Sequence, residues 1–360
     1  MANIFSLLIG CIVSFLPLYT RFSTVNLDRV SKAFLLLLII PFFQIIPFKK
    51  IRSIPNDIKL IFAACIFHMA LFQFDPSSFS GIFSSLSIAL GMIFFIKYHE
   101  HYTSEVIILN SLVIGSVIQC IISFSQYTGY DIYSNAMLLF NDNIKLVSME
   151  ENYFGSFANS NLFGAYLALC FPAFFRPKFI YFAPIVLLFV FLSKSLMAIA
   201  ACAAAIALFA KKNREKELYI LAPIVFFIVI LSISGLTSGR LDLWVALVSK
   251  VDVIHFIFGM SPSWFDSLGL NISKHLVNNE HNEFLSIFNI FGIFGLLACI
   301  FMHKLCIDNK NKNVIFGCIT FAGFVNMLGN FPLHYAPLAL IIIVSFAHCI
   351  KGNYVSNMDR

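Results

Sequence analysis

The stretch VIILNSLVIGSVIQCIISF, Val106 to Phe124, decides the fold. It holds no charged side chain, and its apolar residues follow neither a helical nor a strand period. A run that is apolar on all sides is a helix facing lipid or other membrane helices. About 20 apolar residues cross a bilayer core, and this run has that length. Ala33 to Phe48, Leu218 to Ser232 and Ala336 to Ala347 also lack charge. Outer-membrane barrels are excluded, because they need short alternating segments.

The whole chain repeats the pattern. Of its 360 residues, 59% are hydrophobic and 12% charged, too little polar surface for a soluble domain of that size. The expected fold class is all-α: a polytopic integral membrane protein with about twelve transmembrane helices. The runs lie near 4–19, 33–48, 58–74, 79–96, 105–124, 161–175, 179–193, 195–210, 218–234, 284–303, 314–331 and 333–350. Several are short for a perpendicular crossing, so broken or interfacial helices are expected among them. The first run lacks a basic start and an Ala-x-Ala end, and is expected to stay as the first helix. Residues 1–360 read as one membrane domain, without tandem repeat or soluble module.

Lys and Arg set the orientation. Lys49, Lys50, Arg52, Lys59, Lys97, Arg176, Lys178, Lys211, Lys212, Arg214, Lys216, Lys304, Lys310, Lys312, Lys351 and Arg360 fall on one side of a twelve-helix chain. That side is expected to be cytoplasmic, with both termini on it. The opposite, periplasmic side carries two long loops, 125–160 and 235–283, and long loops commonly carry function. The first is net acidic, with Asp131, Asp142, Glu150 and Glu151 against Lys145. The nine cysteines sit in or beside apolar runs without C-x-x-C spacing, and read as small packing residues.

Four sequences on the outer side could carry chemistry. GSFANSN, Gly155 to Asn161, leads into an apolar run. Asn159 and Asn161 there suit a helix N-cap, and a helix start also attracts anions. In Ser193-Lys194-Ser195, Lys194 is either a snorkelling cation or one held to meet a phosphate. SGRLDLW, Ser238 to Trp244, brings Arg240, whose planar fork of donors suits phosphate; pairing with Asp242 or a headgroup contact is the alternative. His281-Asn282-Glu283 stands just before the run from Phe284, and imidazole suits proton transfer near neutral pH. No Walker loop, Rossmann fingerprint or H-E-x-x-H is present, so direct use of ATP is not expected.

Three stretches together resemble the O-antigen ligase and O-antigen polymerase superfamily of bacterial lipid-linked glycan transferases, which includes protein O-oligosaccharyltransferases. They are GSFANSNLFGAYLAL from Gly155; GRLDLW, FGMSPSWF and HNEFLSIFNIFGIFGLL ending at Leu297; and NFPLHYAPLALI from Asn330 to Ile341. The resemblance covers roughly 150–345, and the His281 stretch followed by Gly292 and Gly295 is its most specific part. These glycines would also permit close helix packing.

The resemblance implies a metal-independent, inverting glycosyltransferase of the inner membrane in lipopolysaccharide biosynthesis, with no cofactor and no nucleotide. Its donor would be a glycan on undecaprenyl pyrophosphate. The acceptor would be lipid A–core in a ligase, a lipid-linked repeat unit in a polymerase, or a Ser or Thr in a protein O-oligosaccharyltransferase. His281 would act on the acceptor hydroxyl, with Glu283 beside it. Arg240 and Lys194 would hold the donor phosphates, with Asn159 and Asn161 at the same helix start. Lys194 stands where the family commonly has Arg, which keeps the charge and loses the bidentate fork. A ligase is the leading expectation, ahead of a polymerase. A transporter or flippase is the reading from a different class, and would predict internal repeats and helices broken at the midplane.

Overall fold

The computed structural model describes residues 2–15, 104–138, 154–157, 159–213, 245–259, 271–272, 275–276, 283–309, 313–329 and 336–351. The runs expected near 33–48, 58–74, 79–96 and 218–234 lie outside them. The described chain is all-α apart from one two-residue ladder. Its helices are α1 (Ala2–Phe15), α2 (Glu105–Tyr127), α3 (Ile132–Leu138), α4 (Ser160–Cys170), α5 (Ala183–Leu192), α6 (Leu196–Asn213), α7 (Val253–Phe258), α8 (Glu283–Asn309), α9 (Val314–Met327) and α10 (Ala336–Lys351). The ladder pairs β1 (Asn271–Ile272) with β2 (His275–Leu276), antiparallel. Among the described residues, α2 alone is long and apolar enough to cross a membrane by itself, at 23 residues.

α4 is the hub. Every residue from Leu162 to Cys170 is buried, because α2, α5, α6, α9 and α10 surround it. Small residues bring the neighbours close. On α6, Ala198, Ala201, Cys202 and Ala205 form one fully buried face at helical spacing. On α1, Ser6, Gly10 and Ser14 recur every four residues. A Cβ on Gly10 would collide with Ser111 of α2, Ser14 Oγ donates to Ser111 O at 2.8 Å, and Ser6 Oγ accepts the Ser104 N–H.

Three expected helices are interrupted. The one expected over 161–175 ends at Cys170 and tightens into a 3₁₀ turn, Phe171–Phe175, carrying Pro172. Proline lacks the N–H that an α-turn needs. The one expected over 179–193 begins with a 3₁₀ turn, Ile180–Phe182, and becomes α5 at Ala183–Pro184. α8 breaks at Gly292, with φ 61° and ψ −151°. The loops also hold structure of their own: α3 lies in 125–160, and α7 and the ladder lie in 235–283. α7 is capped by Asp252, whose carboxylate accepts the His255 N–H at 2.9 Å. That bond, more than the neighbouring imidazole, holds the exposed Asp252 carboxyl below its usual range.

Side-chain contacts fix which helix ends lie together. Glu105 Oε1 is 3.5 Å from His348 Nδ1, Arg176 Nη1 donates to Asn110 Oδ1 at 2.9 Å, and Cys306 and Cys349 meet at 3.5 Å. The start of α2 and the ends of α8 and α10 therefore share one end of the bundle with the turn after α4. The end of α2, the start of α4 and the turn between α5 and α6 share the other.

α2 turns its polar side chains inward, among buried apolar ones, and exposes part of its apolar surface. Ser116, Gln119, Ser123 and Gln126 line one buried face, while Ile114, Val117, Ile121 and Phe124 are 39% to 57% exposed on the other. α8 exposes Phe294, Leu297 and Ile300 in the same way.

Candidate functional site

α4 starts where the sequence places an N-cap. Asn159 is extended, at φ −147° and ψ 133°, and its side chain accepts the Asn161 N–H at 2.7 Å. The capping reading of Asn159 is thus observed directly. Asn159 is exposed and Asn161 half-buried, so the helix start, with its partial positive charge, opens to the surroundings at this end.

Lys194 lies at the same end. α5 stops at Leu192, and Lys194 follows with φ 56°, the one non-glycine with positive φ among the described residues. That conformation commonly ends a helix, with glycine in it. The flanking serines are buried and the lysine is exposed. Ser193 Oγ donates to Val190 O at 2.6 Å and accepts the Ser195 N–H at 3.3 Å. The turn rests on Gly164, in the second turn of α4; a Cβ there would lie 2.8 Å from Ser195 Cβ. Gly164 therefore lets the Lys194 turn seat beside the α4 start.

Glu283 is the first residue of α8, nine residues ahead of the break at Gly292. Arg240 and His281 lie outside the described residues. The fold thus brings Asn159, Asn161 and Lys194 to one end of the bundle. Of the two glycines after His281, Gly292 makes the close approach expected: a Cβ there would be 2.7 Å from Gly259 N and would run into the Ile257 carbonyl. Phe256 of α7 and Phe288 of α8 meet across this joint, ring centroids 5.7 Å apart. Gly295 faces Ile287 and Phe291 of its own helix across the break.

Two side chains near the α4 start were missed in the sequence. Gln126 Oε1 accepts the N–H groups of Phe154 and Gly155 at 3.2 and 3.0 Å, and its Nε2 donates to Gly155 O at 2.6 Å. Gln119 Oε1 accepts from Ser156 N and Ser156 Oγ at 2.9 and 3.0 Å. Gly155 has φ 61°, and Phe157 beyond it is fully buried against Phe163 and Tyr166. The available signal was two glutamines seven residues apart in an otherwise apolar run, where polar groups need a reason.

Compared with protein-family models, with curated proteins and with solved structures, the chain matches none.

Proposed function

We propose that this chain is an integral membrane glycosyltransferase of about twelve crossings. It moves a glycan from undecaprenyl pyrophosphate to a lipid A–core acceptor at the periplasmic face of the bacterial inner membrane. The membrane placement is supported by the inverted polarity of α2, because a helix that exposes Ile121 and Phe124 while burying Gln119 and Gln126 suits a hydrocarbon surround, not water. At 23 residues α2 is about 34 Å long, enough for the core. The orientation is supported by the ends. Arg176, Lys178, Lys211, Lys212, Lys304 and Lys351 lie at one end, and Lys194 lies at the other.

The observation that carries the proposal is the company Lys194 keeps. A strained, exposed lysine sits beside the open start of α4. A pyrophosphate carries more than one negative charge, and cations with a helix start stabilise it both bound and as a leaving group. Arg240 opens the 235–283 loop on this side and joins that set in the proposed mechanism. His281, two residues ahead of α8, takes the proton of the acceptor hydroxyl as the new bond forms, a role contributing about 10²–10⁴-fold in rate. The lipid pyrophosphate leaves without needing a proton.

A polymerase joining lipid-linked repeat units is the second reading. It is favoured by α3, which gives the 125–160 loop a structured element beside the site. The surface glycan of a deletion strain separates the two. A ligase predicts loss of all polymer from the core, with lipid-linked chains accumulating. A single repeat unit left on the core would instead establish the polymerase. An unchanged glycan with lost substrate flux would favour a transporter, to which the break at Gly292 in α8 also belongs.

A further inference from the structure

We propose that Gln119 and Gln126 are positioning residues that set the start of α4 for a lipid pyrophosphate, an inference that rests on the function proposed above. The two lie seven residues apart on α2, two turns along one face. Between them they hold three consecutive backbone amides, those of Phe154, Gly155 and Ser156. Both amide orientations are fixed by chemistry. A backbone N–H must meet an oxygen, so each Oε1 faces the turn. Gln126 Nε2 is then free to reach Gly155 O, while Gln119 Nε2 points away from the turn, buried and without a hydrogen-bond partner among the described residues.

The grip reaches the α4 start through a short, stiff path. Gly155 is left-handed, and a side chain there would press on Gln119 Oε1 at 2.5 Å and on the Phe163 ring at 3.0 Å. Phe157 then fills the space against Phe163 and Tyr166, and Asn159, two residues on, caps the helix. A shift of the turn is therefore a shift of Asn159 and Asn161. The grip is costly to remove, because an apolar pair at 119 and 126 would leave the buried N–H groups of Gly155 and Ser156 without acceptors. What the glutamines add is a fixed position for the chain.

The test uses the full chain in lipid nanodiscs, with undecaprenyl pyrophosphate as the probe. Two quantities are read: amide hydrogen exchange over 154–163, and probe affinity. Gln126→Leu and Gln119→Met should each speed exchange in that segment and weaken binding about tenfold, as expected for lost hydrogen bonds. Gln119→Glu keeps an oxygen for Ser156 and, at this fully buried position, keeps its proton and adds no charge, so exchange and affinity should stay near those of the parent. If Gln126→Leu does not fold, the Gln119 pair decides. Unchanged exchange in the disrupting variants overturns the grip. Faster exchange with parental affinity overturns the positioning role. A parent protein that fails to bind the probe, while its variants still exchange faster, overturns the donor reading and this proposal with it.

Discussion

Lys194 occupies a backbone conformation that costs a non-glycine residue about 1–2 kcal/mol. A helix end that needed only to turn would be better served by glycine there. Lys194→Gly is therefore expected to raise stability by about 1 kcal/mol, offset in part by the greater freedom of glycine in the unfolded chain. The same change should lower glycan transfer at least about tenfold, the scale of one lost charge-assisted contact. Thermal unfolding in lipid and a transfer assay on the same sample check both halves; transfer unchanged in the stabilised variant would return Lys194 to a simple interface role. Asn159 gives the complementary case. Asn159→Ala removes the bond to the Asn161 N–H and should cost about 1 kcal/mol. Asn159→Asp keeps the cap and adds a negative charge beside the donor phosphates, so it should unfold like the parent yet bind undecaprenyl pyrophosphate less tightly. Equal affinity of Asn159→Asp and parent would remove phosphate from this helix start.

Among the elements, the joint between α7 and α8 is the most exacting. Gly292 has φ 61°, and a methyl group there would meet the Ile257–Gly259 backbone. Gly292→Ala adds left-handed strain to overpacking and should destabilise by about 3 kcal/mol. The shift of the unfolding midpoint in lipid measures it, and a change below about 1 kcal/mol would mean that α7 does not bear on the break. The site of this glycine was legible in the sequence, and the break it makes in α8 was not. Spacing reveals where a small residue is needed, but a positive φ belongs to the tertiary contact with Ile257. The long runs were legible for a different reason. Val106–Phe124 carries no charge, and α2 extends it by a turn or less, to Glu105–Tyr127. The interruption at Pro172 follows from its missing N–H, yet an apolar average over 161–175 hides it. α3, α7 and the β1–β2 ladder are too short to show a period, so they were read as plain loop. Gln119 and Gln126 stand out as polar residues in the sequence, but the grip they make was not legible there. Their partners, Phe154 to Ser156, come from sequence about 30 residues away.

For the molecule as a whole, the alternation of helix ends carries the functional reading. Glu105 meets His348 at one end, and Gln126 grips Gly155 at the other. From the asymmetry of Lys and Arg between the loops, reporter fusions at Asn213, which closes α6, and at Asn271, which opens β1, should report opposite sides of the membrane. The same signal at both would break the twelve-crossing topology. Asn159, Asn161 and Lys194, named in the sequence from motif, local charge and resemblance, lie at one end of the bundle. In the proposed mechanism Arg240 and His281 act from the 235–283 loop, Arg240 engaging the donor and His281 activating the acceptor. The most direct test is purified protein in lipid with a defined undecaprenyl-pyrophosphate glycan and its acceptor, comparing donor binding and product formation. His281→Ala should stay folded and bind donor as the parent does, while transfer falls by about 10²-fold or more; Arg240→Ala should lose donor binding and transfer together. Near-parental turnover by His281→Ala would contradict the general-base role at the centre of this account.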